Sequence, residues 1–487
     1  MKKKMKGAVF LILMLSVRTT AGAGLIVKTE NPAELTRFAE THSVKVEPLI
    51  SYPDPSFEVV ERMGDYYVIQ FSSEEMADAI WSLPGVAEVF ADKSNRIEPF
   101  VSEAPPSSMH PLYPQDTTLY DYHIPNDTYF YYQWDKLITE TQWAWELEKG
   151  SKDVTVAILD TGIDTLHVDL EANLVSGYNF VGGGEGFQDK LGHGTHVAGI
   201  VAAEMDNEAG IAGMCQSWIM ALKVVDDDGY YLDSDFIEGI CYAADSDADI
   251  ISMSLIGDEH EPVSLIQDAI NYAWDAGCLP VAIAGNGGRN GSVYPGAYEH
   301  VMSVGSTTKD DDWASHSNYG DGVTLYAPGQ YIYSTFLNDK YSTRSGTSMA
   351  GPQVAGLAAL VWSRYPSCTN QDVWDKIVES ADIIDTEMGK LPRINSRRAL
   401  DIIADAAEEK VSLKITAKVN RDILQLTCSN TPYSLALFDA SGRRVSEREG
   451  YVQGKVTLNL SELSRGVYFW SFETPADKVV GKILIIE

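Results

Sequence analysis

The feature that most constrains this chain is a rhythm of short, nearly continuous apolar runs between residues 121 and 405. "VTVAILD", "IMALKVVD", "ADIISMSL", "LPVAIAGN" and "VMSVGS" are apolar at successive positions as well as at alternate ones. A strand with one wet face alternates polar and apolar residues, whereas a strand covered on both faces has no such need. Helical stretches such as "DSDFIEGICYAADS" and "VSLIQDAINYAWDAG" lie between the runs. This repetition predicts an α/β domain with a doubly wound, mostly parallel sheet, whose ligand sites fall at the carboxyl ends of the strands.

The 487 residues exceed one ordinary domain. Residues 1–23 combine a basic start ("MKKKMK"), an apolar stretch too short to span a bilayer and a small-residue cleavage site, which reads as a secretory signal peptide. Residues 24–100 alternate short strands ("LIVKT", "YYVIQF", "VAEVFAD") with amphipathic helices ("PAELTRFAETH", "EEMADAIWSL"), a small α+β unit. A polar, proline-bearing linker follows at 101–120. From 411 to 487 the helices stop and period-two runs such as "YSLALFD" and "GVYFWSFE" predict a β-sandwich module.

Seventy acidic residues against 37 basic ones give a net charge of −33. That balance argues against a nucleic-acid partner and suits solubility outside the cell and carboxylate ligands for divalent cations. Nothing in the sequence calls for a transmembrane segment once the signal is removed, or for an organic cofactor. The five cysteines match no metal-cluster spacing and are expected to be mostly buried thiols.

Four polar residues stand where such a sheet would gather them. Asp160 ends the run "VAILD", His193 opens a small-residue helix in "GHGTHVAG", Asn286 follows "VAIAG", and Ser348 lies in "GTSMAGP" ahead of "LAALVW". Acyl transfer from a serine needs a base to take its proton, an acid to orient that base and a donor for the oxyanion. The order Asp…His…Ser is one of three known for such triads. His193 and His196 form an H-x-x-H pair that a metal could use, but no Glu follows His193 in a zinc-protease pattern.

"DTGID", "HGTHVAG" and "GTSMAGP" resemble the signature blocks of the subtilase (subtilisin-like serine endopeptidase) family, in the family's order. The resemblance implies Asp160 as orienting acid, His193 as general base, Ser348 as nucleophile and Asn286 as oxyanion donor. It implies substrate contacts at Ser254, Leu255, Gly257, Ala284 and Gly285, with Ile256 where the family usually has Gly and thus a branched side chain at the pocket mouth. "PNDTYF", "HVDL" and "MDNEAGIAG" resemble the calcium segments of thermitase-like members, implying a structural Ca²⁺ held by Asp127, Asp169, Asn207 and the carbonyls of Ala209 and Ile211. At the position five residues after Ser348, where the family usually has His, stands Gln353.

Residues 24–100 resemble a subtilase inhibitor propeptide with a ferredoxin-like fold, a folding aid and product-like inhibitor removed by a cut in the linker. The last module, with "LFDASGRRV" and "LNLSELSRGVYFW", resembles the sorting domain of the type IX secretion system. This implies the secretion machinery as a partner and a secreted or cell-surface destination by way of a Gram-negative periplasm. The resulting expectation is an autoprocessed secreted endopeptidase acting on proteins or peptides. A narrow-specificity processing peptidase, or an inactive surface-binding protein on the same scaffold, are the alternatives.

Overall fold

The computed structural model of the protein describes residues 24–97, 124–401 and 416–485, apart from short stretches within them. The expected signal peptide, the linker, Cys428 and much of "EEMADAIWSL" lie outside the described residues. Residues 1–403 and 404–487 form two units.

The first unit opens with a small α+β module. Strands β1 (Gly24–Thr29), β2 (Lys45–Pro48), β3 (Tyr66–Gln70) and β4 (Val86–Asp92) form an antiparallel sheet in the order β2-β3-β1-β4, with helices α1 (Pro32–His42) and α2 (Phe57–Met63) between them. Strand alternation sorts the side chains of β1 onto two faces. Leu25 and Val27 pack with Leu35 and Phe38 of α1, while Ile26 turns the other way. It joins Leu49, Val59 and Met63 in a cluster shared with the larger domain that follows. Neither α2 nor β2 is foreseen in the sequence, because each is too short to establish a period. A further strand, β5 (Ser94–Arg96), leaves this module.

The larger domain contains a nine-stranded sheet in the order β16-β17-β13-β12-β11-β10-β6-β8-β7. Its centre consists of β6 (Thr155–Asp160), β8 (Trp218–Lys223), β10 (Ile250–Met253), β11 (Leu279–Ile283) and β12 (Met302–Thr307), all parallel. β7 (Leu174–Asn179) and β13 (Leu325–Pro328) extend it in parallel, and an antiparallel hairpin of β16 (Asp382–Thr386) and β17 (Gly389–Arg393) closes one edge. Both faces are covered. Val156 and Ile158 of β6 point into the cluster that holds helices α3 (His193–Ala202) and α6 (Thr347–Arg364). Ala157 and Leu159 point into the one that holds α4 (Asp233–Asp245) and α5 (Ser264–Asp275). This double burial explains the unbroken apolar runs.

Among the described residues, Cys215, Cys241 and Cys278 are buried free thiols and Cys368 a half-buried one. No helix among them is long and apolar enough to cross a membrane. Among the described residues the second unit is all β. A three-stranded antiparallel sheet accompanies a four-stranded one, and Tyr433, Leu435, Ala436 and Leu437 of the strand Thr431–Asp439 are buried.

Candidate active site

β6 delivers Asp160 at its carboxyl end, and α3 begins with His193. Nδ1 of His193 lies 2.7 Å from Oδ1 and 2.9 Å from Oδ2 of Asp160, and both side chains are buried. Burial alone would lower the imidazolium's pKa. The charge of Asp160 and its hydrogen bonds outweigh that, so His193 is raised above the usual histidine value. With Nδ1–H donated to the carboxylate, Nε2 is the nitrogen left to accept a proton.

The approach of the two elements is set by Gly194. A Cβ there would sit 2.1 Å from the carbonyl oxygen of Gly162, so only glycine lets α3 come this close to the end of β6. Buried Asp189 fixes the helix start. Its Oδ1 accepts from the N–H groups of Leu191 and Gly192 and from Thr161 Oγ1, and its Oδ2 from the N–H and Oγ1 of Thr195. Thr161 Oγ1 accepts in turn from Gly194 N–H, and Lys223 Nζ donates to the Thr161 carbonyl. Sequence reasoning passes over Asp189 and Thr161, though a buried acid three residues before a helix-opening glycine is a capping signal. His196 also lies on α3, where burial lowers it to about 3, and its Nε2 contacts the Ser342 carbonyl at 2.9 Å. It is a neutral structural residue.

Ser348 lies in the first turn of α6, where backbone N–H groups have no intrahelical partner. Pro352, four residues on, has no N–H to donate to the Ser348 carbonyl. Ser254 Oγ supplies that bond instead, at 3.1 Å, and Ser348 Oγ lies 3.4 Å from the Ser254 carbonyl. Asn286, beyond the end of β11, holds its Oδ1 against the N–H and Oγ1 of Thr347, at 2.7 and 2.8 Å. These bonds fix which end of the carboxamide is the oxygen and tie Asn286 to the residue beside Ser348. Thr347 is a further positioning group, like Asp189 and Thr161 without a periodic signal in the sequence. The small residues of "GTSMAGP" serve a fully buried helix start packed against α3 and the sheet.

Ser254 and Leu255 follow β10 and are buried, and Gly257 N–H donates to the Tyr294 carbonyl. Ala284 commits its backbone internally: its N–H goes to Val304, and its carbonyl accepts from Val293 N–H and Asn318 Nδ2. Gly285, with φ of 105°, makes the turn toward Asn286. Ile256 is buried and packs on Ile283 and Val293, so its branched side chain is held by apolar contacts beside Ala284.

Asp127, Asp169 and Asn207 are brought together. Asp169 accepts from Asn207 Nδ2 at 2.9 Å and from Ile211 N–H at 2.8 Å, and Asp127 Oδ2 accepts from Asp206 N–H. Asn207 Oδ1 takes the N–H of Ala209. Asp127 Oδ1 is buried without a hydrogen-bond partner. Burial, together with the charges of Asp169 and Asp206, pushes Asp127 up to about 6. A buried carboxylate oxygen without a donor, facing a second carboxylate, suits a hard cation.

A two-sided parallel sheet that collects an acid, an imidazole, a carboxamide and a serine beyond its carboxyl ends belongs to the hydrolytic α/β enzymes. Residues 151–415 match the model of the subtilase family, and the chain belongs to that family. It is 43% identical over 280 residues to the thermophilic serine proteinase of Bacillus sp. (strain AK1), covering 57% of this chain and 69% of that protein. It is 42% identical over 250 residues to thermitase of Thermoactinomyces vulgaris, 51% and 88% of the two chains. With subtilisin DY of Bacillus licheniformis it shares 39% over 238 residues, 48% and 85%. Residues 418–487 match a secretion system C-terminal sorting domain. The chain is thus a subtilisin-like serine protease carrying a sorting tail.

Proposed function

We propose that the protein is a secreted endopeptidase that hydrolyses peptide bonds through an acyl-enzyme on Ser348. The observation that carries this reading is the buried pair of His193 and Asp160, whose 2.7 Å contact leaves Nε2 as base and favours the imidazolium. His193 takes the Ser348 hydroxyl proton as Oγ attacks the scissile carbonyl, and Asp160 stabilises the positive ring without accepting the proton. The oxyanion receives hydrogen bonds from the Ser348 N–H and from Asn286 Nδ2, the amide end left over once Oδ1 is held by Thr347. His193 then protonates the leaving amine, and water repeats the sequence on the ester. Ser254, Leu255 and Gly257 line the substrate path, while Ala284 and Gly285 contribute shape.

Residues 24–100 act as an inhibitor removed by self-cleavage in the linker, and their shared apolar cluster with α4 and α5 supports this role. Asp127, Asp169, Asn207 and the carbonyls of Ala209 and Ile211 hold a structural Ca²⁺ that ties the segment around residue 127 to the 206–211 loop. The sorting tail takes the protein through a type IX system across the outer membrane of a Gram-negative bacterium.

The test is expression of residues 24–487 with wild-type Ser348 and with Ser348→Ala. Wild type should mature between the first two modules and take up a serine-directed fluorophosphonate, and the variant should do neither. If the two behave alike, the reading fails.

A further inference from the structure

β5 continues from the N-terminal module onto β9 (Tyr230–Leu232) of the larger domain. The pairing is antiparallel, with Ser94 opposite Leu232, Asn95 opposite Tyr231 and Arg96 opposite Tyr230, and Ile97 N–H donates to the Gly229 carbonyl. An extended chain thus pairs through its backbone with a short strand of the larger domain, the usual way a groove holds a peptide backbone. Backbone pairing is indifferent to sequence, so any selection must come from side chains beside the strand.

One side chain there is conspicuous. Asp233 opens α4 directly after β9 and is 2% exposed. Its Oδ1 accepts from Asn95 Nδ2 at 2.7 Å, and its Oδ2 is buried with no hydrogen-bond partner. The helix does not need this acid as a cap, because Asp92 accepts from Ser234 N–H and Oγ at the same helix start. A buried carboxylate oxygen without a donor is costly. Asp233 also lines a small aromatic cavity of about 10 Å³ with Tyr231, Phe236, Tyr294, Tyr298 and Gly257. Gly257 is among the residues assigned above to the substrate path, so the cavity adjoins that path. The cavity has room for no more than about one water, so a cationic side chain would take the space that Asn95 now fills, beside the carboxylate and the Tyr231 ring.

We propose that Asp233 is a specificity-determining residue, selecting substrates that carry a side-chain N–H donor, Arg or Lys ahead of Asn or Gln, at the position facing Tyr231. This rests on the proteolytic reading above, with Asn95 filling the position until the N-terminal module leaves. A substrate cation there satisfies both carboxylate oxygens, where Asn95 reaches one. A branched aliphatic side chain would leave Asp233 buried and unpaired.

The test profiles the matured wild type and Asp233→Leu against a peptide library, with cleavage sites read by mass spectrometry. Wild type should enrich Arg and Lys at a single position before the scissile bond. In Asp233→Leu the ratio of kcat/KM for an Arg peptide over its Leu counterpart should fall at least about ten-fold, equivalent to about 1.4 kcal/mol, and Asp233→Asn should keep amides while losing the cation preference. No preference in wild type, or the same preference in Asp233→Leu, overturns the proposal, as expected if Asp233 only stabilises its helix. Should the Asp233 variants fail to fold, Asn95→Arg and Asn95→Leu in the full chain decide. The Arg variant should retain the cleaved module longer on size exclusion and the Leu variant release it sooner, and equal retention overturns the proposal. Wild type that takes up no fluorophosphonate signals failure of the proteolytic reading instead.

Discussion

Asp160 holds His193 through both carboxylate oxygens, at 2.7 and 2.9 Å, with the imidazole buried and its pKa nevertheless raised. The carboxylate therefore fixes the tautomer and also determines how readily the ring is protonated. Replacing Asp160 by Asn keeps the shape but removes the charge. Turnover should fall by about 10⁴. The pH profile should move as well. The base works only when neutral, so the wild-type acid limb is expected above the ordinary histidine value. In Asp160→Asn, burial acts without compensation and the limb should shift to lower pH. A limb that does not move would separate Asp160 from the titration of His193.

Asn286 Oδ1 accepts from both the N–H and the Oγ1 of Thr347. Asn286→Ala removes the proposed side-chain donor and should cost about 10²–10³ in kcat with little change in KM. Thr347→Val keeps the backbone bond and loses only the 2.8 Å hydroxyl contact. It should therefore lower kcat in the same sense but by less, since the carboxamide is loosened without being removed. Steady-state kinetics on one peptide amide would measure both. A KM effect with constant kcat would place Asn286 in ground-state binding.

The two-faced sheet was legible because burial on both faces leaves no polar alternation along β6, β10 and β11. Asp160, His193, Asn286 and Ser348 were legible because each interrupts an apolar run at a strand end or helix start. The groups that position them were not. Asp189 and Thr161 reach α3 through side-chain bonds to its backbone, and Thr347 orients Asn286 across 61 residues of chain. Such partners depend on tertiary placement and leave no periodic trace. Ile256 shows the same limit, since its place in a motif marks the pocket but not the packing against Ile283 and Val293 that holds it there.

Gln353 concerns stability more than turnover. Its Nε2 donates to Asp135 Oδ2 at 2.8 Å, and the same oxygen takes the buried Lys136 Nζ at 2.6 Å. Gln353→Leu removes one of two donors from a buried carboxylate, which should cost about 1–3 kcal/mol. Thermal unfolding should show the loss while fluorophosphonate labelling of Ser348 still goes to completion. Loss of labelling in a folded variant would give Gln353 a closer role in the site.

The N-terminal module should be held more tightly in acid. Burial is the main cause that raises Asp92 to about 6, Asp233 and Glu238 to about 7 and Asp235 to about 8, and Asp92 adds its charge to both Asp233 and Asp235. Asp92 and Asp233 lie at the contact between the modules, and Glu238 accepts from Ser51 N–H across it. Glu47, Asp226 and Lys45 line the same region, and Lys93 counters in part. Raised carboxyl groups mean that the assembled state binds more protons than the separated one, so the hold is complete at low pH and weakens as pH rises through about 6 to 8. After cleavage of the linker, size exclusion should find the module retained near pH 5 and released near pH 8. Equal retention at both would remove these carboxyls from the release step.

Cation binding at Asp127 and Asp169 should be measurable as thermal stability. Asp127 Oδ1 has no donor and its neighbours Asp169 and Asp206 are carboxylates, an unfavourable concentration of charge that a cation would relieve. Ligand bound only to the folded state stabilises it by about 2.7 kcal/mol at a free concentration 100 times Kd. Chelation should accordingly lower the melting temperature of wild type. Ca²⁺ should restore it better than Mg²⁺, which demands tighter octahedral geometry and dehydrates reluctantly. Asp127→Asn removes one of the two charges, so it should be less sensitive to chelator and should melt above wild type once both are stripped of cation. A wild-type melting temperature that is the same in Ca²⁺ and in chelator would rule the site out.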